Sequence, residues 1–185
     1  MIVVVIGNDD GRKMVEREDA ELFLAEYARI TGVEMGLVGV RERPDFVCDR
    51  RGRRFGLELV KAMEDPVLRH DSILLGGDGQ LHGLDAALLV QQAAYWKDAK
   101  RASAGWRYPK STILLIQLIG SDGEETSEYL TPDLMDEMSQ TGFREIWIAD
   151  YSPMEAYGEI QLIGVKPKRW RGLHRHQLYG TKPYG

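Results

Sequence analysis

The hydrophobic and polar positions of this chain follow two periods, one typical of strands and one typical of helices. The clearest strand pattern lies between residues 43 and 61, where RPDFVCDRRGRRFGLELVK contains two short runs rich in Phe, Val and Leu around a polar tip with Gly52. Two such runs joined by a short turn are typical of a β-hairpin. The segment is therefore predicted to fold back on itself.

The register of this hairpin decides which side chains meet. A turn centred on residues 51–52 pairs Phe46 with Leu57, and it sets Asp45 opposite Glu58. Because side chains alternate between the two faces of a strand, the aromatic and aliphatic pair lies on one face and the two acids lie on the other. A three-residue loop would instead place the acids on opposite faces.

The remaining pattern predicts an α/β fold, with a mixed central β-sheet flanked by helices. Apolar residues at spacings of three and four predict helices, and continuous apolar runs between turn residues predict buried strands. The predicted helices cover 14–31, 84–104 and 131–140, the predicted strands cover 1–7, 33–40, 111–119, 143–149 and 160–165, and 120–128 is predicted to be an acidic loop. The buried side of the second helix is expected to consist of Leu84, Leu88, Leu89, Ala93, Tyr95 and Trp96.

Composition fits one soluble domain. The 185 residues are 43% hydrophobic and 29% charged, which permits a substantial core, and they contain no apolar run long enough to span a bilayer. We expect a single α/β domain over residues 1–165 and a cytoplasmic location, without membrane association. The one cysteine, Cys48, lies on the apolar face of the predicted hairpin, so we expect a buried structural thiol.

Positive charge is concentrated at the carboxyl end of the chain. Residues 166–185 contain six Lys or Arg and no acid, so with a net charge of −5 for the whole chain the preceding residues carry −11. Trp170, Tyr179 and Tyr184 are interleaved with these cations. This basic tail is expected either to contact phosphates and bases or to be a solvated, partly disordered terminus.

Asp45 and Glu58 form the strongest candidate site for chemistry. Two carboxylates opposed across a strand pair repel each other, so the arrangement favours a cation between them. Mg²⁺ is held by one or two carboxylates together with water and phosphate oxygens, which makes Mg²⁺ (or Mn²⁺) the natural candidate. The hairpin therefore predicts a metal site.

These residues carry a resemblance to a known family. Pro44-Asp45, then a hairpin, then Glu58 followed by Val60 and Lys61 resembles the PD-(D/E)XK nuclease superfamily, and in particular its small bacterial members written PDF…GIEVT. The resemblance implies a restriction-endonuclease-like core and Mg²⁺-dependent hydrolysis of DNA. It also implies that Asp45 and Glu58 hold the metal and that a Lys orients or activates the attacking water.

The chain departs from the family at that Lys. Val60 occupies the family's position, and Lys61 follows one residue later, where a regular strand directs it away from Glu58. Lys61 is the first candidate for the catalytic Lys. Some family members take this cation from the following helix, which makes Lys97 and Lys100 the alternatives.

The resemblance also implies a further acid from the first helix. Glu18 is the named candidate for a third metal ligand, with Glu21 and Glu16 as alternatives, and an ordinary solvated acidic face is the simpler interpretation for each of them. Their spacing places Glu18 and Glu21 on a common flank of the helix.

A second motif bears on nucleic-acid binding. Gln91 and Tyr95 lie one helical turn apart and resemble the Gln-x-x-x-Tyr motif of some nucleases in the superfamily, where such residues contact the DNA backbone. Lys97 and Lys100 continue this helix with positive charge, so all four are candidate DNA contacts.

Three functional hypotheses remain open at this point. The chain is a Mg²⁺-dependent DNA nuclease, a nuclease-fold module that has lost cleavage and binds nucleic acid or a protein, or a structural protein in which Asp45 and Glu58 are ordinary exposed residues. DNA is the expected partner, and a homodimer is among the assemblies considered.

Overall fold

The structure is a computed structural model that describes residues 8–62, 82–103 and 105–176. The predicted strand at 1–7 lies outside the described residues. The helices are α1 (Asn8–Thr31), α2 (Gly83–Arg101), α3 (Gly123–Tyr129), α4 (Pro132–Ser139) and α5 (Met154–Tyr157). The strands are β1 (Gly36–Val40), β2 (Phe46–Arg50), β3 (Arg53–Ala62), β4 (Thr112–Leu118), β5 (Glu145–Asp150), β6 (Gln161–Lys166) and β7 (Gly172–His174).

These strands form one mixed sheet in the order β1-β2-β3-β4-β5-β6-β7. The strands β1, β2 and β3 are antiparallel neighbours, β3, β4 and β5 are parallel, and β5, β6 and β7 are again antiparallel. The parallel step from β3 to β4 requires a crossover connection, which contains α2. The predicted mixed α/β architecture is therefore confirmed.

The hairpin of β2 and β3 has the predicted register. Phe46 pairs with Leu57, and the two strands are joined by a two-residue turn at Arg51 and Gly52. Both turn residues have positive φ, 50° and 81°, as the type I′ turn that matches strand twist requires. Asp49 Oδ1 accepts a hydrogen bond from the Gly52 backbone N–H at 3.0 Å, which stabilises the tip.

The helix α1 covers one face of the sheet. Its buried side chains include Phe23 and Tyr27, and they pack against Phe46, Leu57 and Trp147 of the strands. Cys48 belongs to the same cluster, and burial raises the pKa of its thiol to about 12. The prediction of a buried structural thiol is confirmed.

The other face is covered by α2, α3 and α4, and here the predicted buried side of α2 is largely wrong. Small side chains of α2 lie against the sheet, which lets the helix backbone approach β3 and β4 closely. The buried residues of α2 are Gly83, Ala86, Ala87, Val90, Ala93 and Ala94, whereas Leu84, Leu88, Tyr95 and Trp96 are exposed.

The predicted acidic loop at 120–128 is also wrong, because most of it forms α3. The Asp122 side chain accepts a hydrogen bond from the Glu125 backbone N–H at 3.0 Å, which caps the helix. Glu124 and Glu125 occupy the first turn, where negative charge stabilises a helix. The helix predicted at 131–140 is confirmed as α4, and the Thr131 side chain caps it by accepting from the Leu134 backbone N–H.

The first part of the basic tail is ordered on the sheet. Residues 168–170 form a 3-10 turn, and β7 pairs with β6. Arg171 donates to the Val165 backbone carbonyl at 2.9 Å and to Asp136 of α4 at 2.7 Å. For residues 166–176, this packing disagrees with the second of the two alternatives for the tail, a solvated and partly disordered terminus. No helix in the described ranges is both long and apolar enough to cross a membrane.

Candidate active site

Asp45 and Glu58 are brought together by the hairpin. The Asp45 backbone N–H donates to Glu58 Oε2 at 3.1 Å, and the Leu59 backbone N–H donates to Asp45 Oδ2 at 2.8 Å. Each carboxylate therefore accepts a hydrogen bond from a backbone N–H on the other side of the hairpin. The two acids lie on one side of the ribbon, on the face that is covered by α2.

A close approach of two backbones holds Asp45 in this place. Gly56 of β3 lies so near Pro44 that an added Cβ would come within 2.6 Å of the Pro44 ring and within 2.6 Å of Thr112 Oγ1. Only glycine leaves room for this contact, which is why the RFGLE stretch carries a glycine within a strand. The buried Pro44 ring fixes the chain one residue before Asp45.

The electrostatics of the pair are dominated by burial. Glu58 is 4% exposed, and desolvation followed by repulsion from Glu58 raises the pKa of Asp45 to about 6. The Leu59 N–H and the Lys97 ammonium act in the opposite direction. Asp45 is therefore a carboxyl group that bears its negative charge at a free-energy cost.

The cation at this site comes from α2. Lys97 Nζ donates to Glu58 Oε1 in a short contact, and its side chain is 13% exposed. Lys61, the first candidate from the sequence, is exposed and shares its side of β3 with Leu57 and Leu59, on the face covered by α1. A regular strand thus directs Lys61 away from Glu58, and the structure brings Lys97 to the pair instead.

The structure does not bring Glu18 to the pair. Glu18 is an exposed residue of α1, and α1 packs on the face of the sheet opposite to Glu58. Across the described residues, no group of three or more His, Cys, Asp or Glu side chains converges in a way that holds a metal ion. Within 8–62, 82–103 and 105–176, the candidate metal ligands are therefore Asp45 and Glu58.

Two carboxylates are a small protein donor set that is chemically compatible with one Mg²⁺ or Mn²⁺ ion. When both acids are ionised, Asp45 and Glu58 carry two negative charges against the one positive charge of Lys97, so one charge remains uncompensated in a largely buried place. Mg²⁺ needs no more than one or two protein carboxylates, because it retains water and binds substrate phosphate oxygens. Burial, followed by repulsion from Glu58, raises the pKa of Asp45, so a cation beside Asp45 would offset the cost of its negative charge.

The Gln91 and Tyr95 edge of α2 faces a carboxylate. Gln91 Nε2 donates to Glu137 Oε2 of α4 at 2.7 Å, and the Tyr95 hydroxyl lies 3.5 Å from the same oxygen. The two side chains share one face, as their spacing implies. A phosphate contact at this edge would compete with Glu137 for both donors, and the role of these residues in binding DNA stays a prediction.

Lys100 lies beside Trp96, whose exposed position differs from the buried position that the hydrophobic pattern predicts. Its Nζ is 3.6 Å from the ring centroid of Trp96, and the Trp96 side chain is 52% exposed. Lys97 Nζ is 5.5 Å from the same centroid. Trp96 is predicted to be a core residue, yet it is exposed at the edge of the candidate active site. In the sequence, its position directly before Lys97 is what could have indicated this location.

Comparison of the chain with protein-family models, with curated proteins and with solved structures gives no match.

Proposed function

We propose that this chain is a Mg²⁺-dependent nuclease of the PD-(D/E)XK type that hydrolyses phosphodiester bonds of DNA. The observation that carries the proposal is the meeting of Asp45, Glu58 and Lys97, in which two carboxylates and one ammonium group come together from three segments. Two acids and a Lys are the groups that the resemblance assigns to the active site.

The order of elements is a second support. A helix, a hairpin, a further helix and a strand parallel to the hairpin follow one another as α1, β2-β3, α2 and β4. The sequence resemblance covers residues 16 to about 167 in order of elements, a range that includes most of this stretch. We therefore include the restriction-endonuclease-like core in the proposal. In this core, α2 is the helix that donates the catalytic Lys.

In this proposal Asp45 and Glu58 hold the metal ion. When bound, the ion supplies Lewis-acid stabilisation of the negative charge on the scissile phosphate. Asp45 is fixed by the Leu59 N–H, and Glu58 is fixed by the Asp45 N–H and by Lys97. Both carboxylates are therefore positioned before substrate arrives, which lowers the cost of reaching the reactive geometry.

Lys97 orients the attacking water. Its ammonium group has three N–H donors, of which one is directed at Glu58, so the others are free to donate to a water molecule or to a phosphate oxygen beside the pair. The same positive charge offsets the negative charge that develops in the transition state. This assignment makes Val60 at the family's Lys position compatible with catalysis.

The test compares two lysines in one assay. Plasmid and single-stranded DNA are incubated with Mg²⁺ or Mn²⁺, and we expect cleavage that falls about 10²-fold or more in Lys97→Met, as is typical when a positioned polar group is removed from a reacting centre. Lys61→Met should cleave at the parent rate. Thermal unfolding of each variant separates lost chemistry from lost folding.

A metal titration in the same preparation tests the ligands. Calorimetry with Mn²⁺ should show one site that Asp45→Ala abolishes. Loss of cleavage in Lys61→Met with retention in Lys97→Met would return the catalytic role to Lys61. Absence of cleavage by the folded parent protein at any divalent metal concentration would overturn the proposed activity.

A nuclease-fold binding module is the second candidate function. Two observations favour it: Val60 stands at the family's Lys position, and Lys97 already neutralises Glu58 in a closed ion pair. This candidate predicts DNA binding without cleavage in the assay above. A three-residue turn, or Asp45 on the face opposite to Glu58, would have favoured the third hypothesis, and the hairpin has neither feature.

A further inference from the structure

Trp96 is half-exposed at the edge of the candidate active site. Its indole is 52% exposed, although the sheet-facing side of α2 is lined by small residues that are almost completely buried, such as Ala93 and Ala94. The core therefore does not require the ring. The exposed aromatic surface is therefore available to a ligand beside the candidate active site.

Two ammonium groups accompany the ring. Lys100 Nζ lies 3.6 Å and Lys97 Nζ lies 5.5 Å from the ring centroid, and Lys97 also binds Glu58. The indole is thus separated from the paired carboxylates by the end of one lysine side chain. Because Lys100 Nζ lies over the ring itself, a base that stacks there must displace this ammonium group, which can then neutralise the phosphate next to the stacked base.

We propose that Trp96 and Lys100 form a stacking platform for an unpaired base, so that the strand cleaved at Asp45 and Glu58 is single-stranded DNA or an unpaired segment of a duplex. This inference rests on the proposed function, since it places the scissile phosphate at those two acids. In a duplex both faces of every base are covered by neighbouring bases, so a protein ring stacks only on a base that has left the helix.

The charges on this flank favour nucleic acid over an apolar protein partner. The exposed leucines of α2, Leu84 and Leu88, lie two to three turns before Trp96, towards the start of the helix. At Trp96 the exposed surface is shared with Lys100, whose ammonium group suits a phosphate and is costly to bury against an apolar surface. The occupant is therefore a polyanion with a planar face.

Binding without catalysis tests the platform. Fluorescence anisotropy measures the affinity of the full chain for a labelled single-stranded oligonucleotide and for the duplex of the same sequence, in EDTA so that no strand is cut. We expect tighter binding of the single strand. Trp96→Ala should weaken that binding about tenfold or more, because one base stacked on an aromatic ring contributes about 1–3 kcal/mol and 1.4 kcal/mol is a factor of ten.

Two matched variants make the result specific. Trp96→Phe retains an aromatic face and should restore most of the affinity. Leu88→Ala removes an equally exposed apolar side chain from the same helix and should leave the affinity unchanged. Thermal unfolding confirms that each variant is folded.

Several results would overturn the platform. Equal affinity for single strand and duplex, or a Trp96→Ala variant that binds the single strand as the parent does, would each do so. Failure of the folded chain to bind single-stranded DNA would also overturn it, and Trp96-dependent self-association in sedimentation would then assign this face to a second copy of the chain.

Failure of the platform and failure of the proposed activity give different results. Cleavage of duplex DNA that is insensitive to Trp96 leaves the nuclease and removes the platform. Trp96-dependent binding of single strands without cleavage in Mg²⁺ or Mn²⁺ leaves the platform and removes the nuclease.

Discussion

Asp45 is a residue whose ionisation opposes folding. Burial and the nearby Glu58 carboxylate raise its pKa to about 6, against about 3.9 in an unfolded chain. Between these values the folded protein binds more protons at Asp45 than the unfolded chain does. The free energy of unfolding therefore falls as pH rises from about 4 to about 6, and the loss is complete above that window.

Replacing Asp45 by Asn should remove this pH dependence. Asn retains an oxygen that accepts from the Leu59 N–H, and it bears no charge. In urea denaturation with EDTA, we expect Asp45→Asn to be more stable than the parent above about pH 6, by up to about 3 kcal/mol at 1.36 kcal/mol per pKa unit. The difference should shrink towards zero near pH 4. A stability difference that stays constant across this range would contradict the assignment.

The acidic pair could be predicted from the sequence, but the partner of Glu58 could not. The pairing of Asp45 with Glu58 follows from a local turn and from strand alternation, both of which a sequence displays. Lys97 lies 39 residues after Glu58, and their contact depends on which side of α2 meets the sheet. Alternation did indicate that Lys61 points away from Glu58, and it could not choose between Lys97 and Lys100.

At the scale of elements, α2 shows why hydrophobicity alone predicts the wrong buried side of a helix. Leucine and aromatic side chains rank above alanine as core residues, so the pattern favoured Leu84, Leu88 and Trp96 as the buried side. The helix instead places Ala87 and Ala94 against β3 and β4, where a short side chain lets the backbones approach. This packing of the alanine side directs Lys97 to Glu58 and leaves Trp96 exposed.

The close approach of α2 makes a direct prediction. Ala94 is fully buried, and Ala94→Leu adds volume where none is available, so we expect a loss of about 1–3 kcal/mol of stability. Leu88→Ala, on the exposed side, should change stability by less than about 0.5 kcal/mol. Chemical denaturation of the two variants measures both values. The reverse order, with Leu88→Ala as the costly change, would restore the buried side that the sequence predicted.

The acidic segment shows a second case in which apolar periodicity does not predict a helix. Residues 120–128 lack apolar periodicity and were predicted to be a loop, yet α3 begins after the Asp122 cap. A helix of this length depends on its cap and first-turn charges rather than on an apolar stripe. The helix predicted at 131–140 does form, as α4, and it is likewise capped, by Thr131, with Pro132 in its first turn.

At the scale of the whole molecule, the basic tail balances charge within the fold. Arg171 and Lys168 both bind Asp136, and Arg175 binds Glu124 of α3. Lys166 donates to the backbone carbonyl of Thr141. For residues 166–176, most of the positive charge is thus engaged with neighbouring groups. The flank of α2 with Lys97 and Lys100 is then the better candidate for phosphate contacts.

Arg171 is the tail residue that should matter most for stability. Its guanidinium joins the Val165 carbonyl of β6 to Ser139 and Asp136 of α4, and its side chain is 16% exposed. Arg171→Ala leaves the Val165 carbonyl without this donor, and we expect a loss of about 1–2 kcal/mol in urea denaturation. Lys168→Ala is the matched control, because Lys168 binds the same Asp136 with a side chain that is 76% exposed and screened by water. The urea midpoint of Lys168→Ala should equal that of the parent protein. Equal losses in both variants would show that the charge on Asp136, rather than the bond to β6, holds the tail against the sheet.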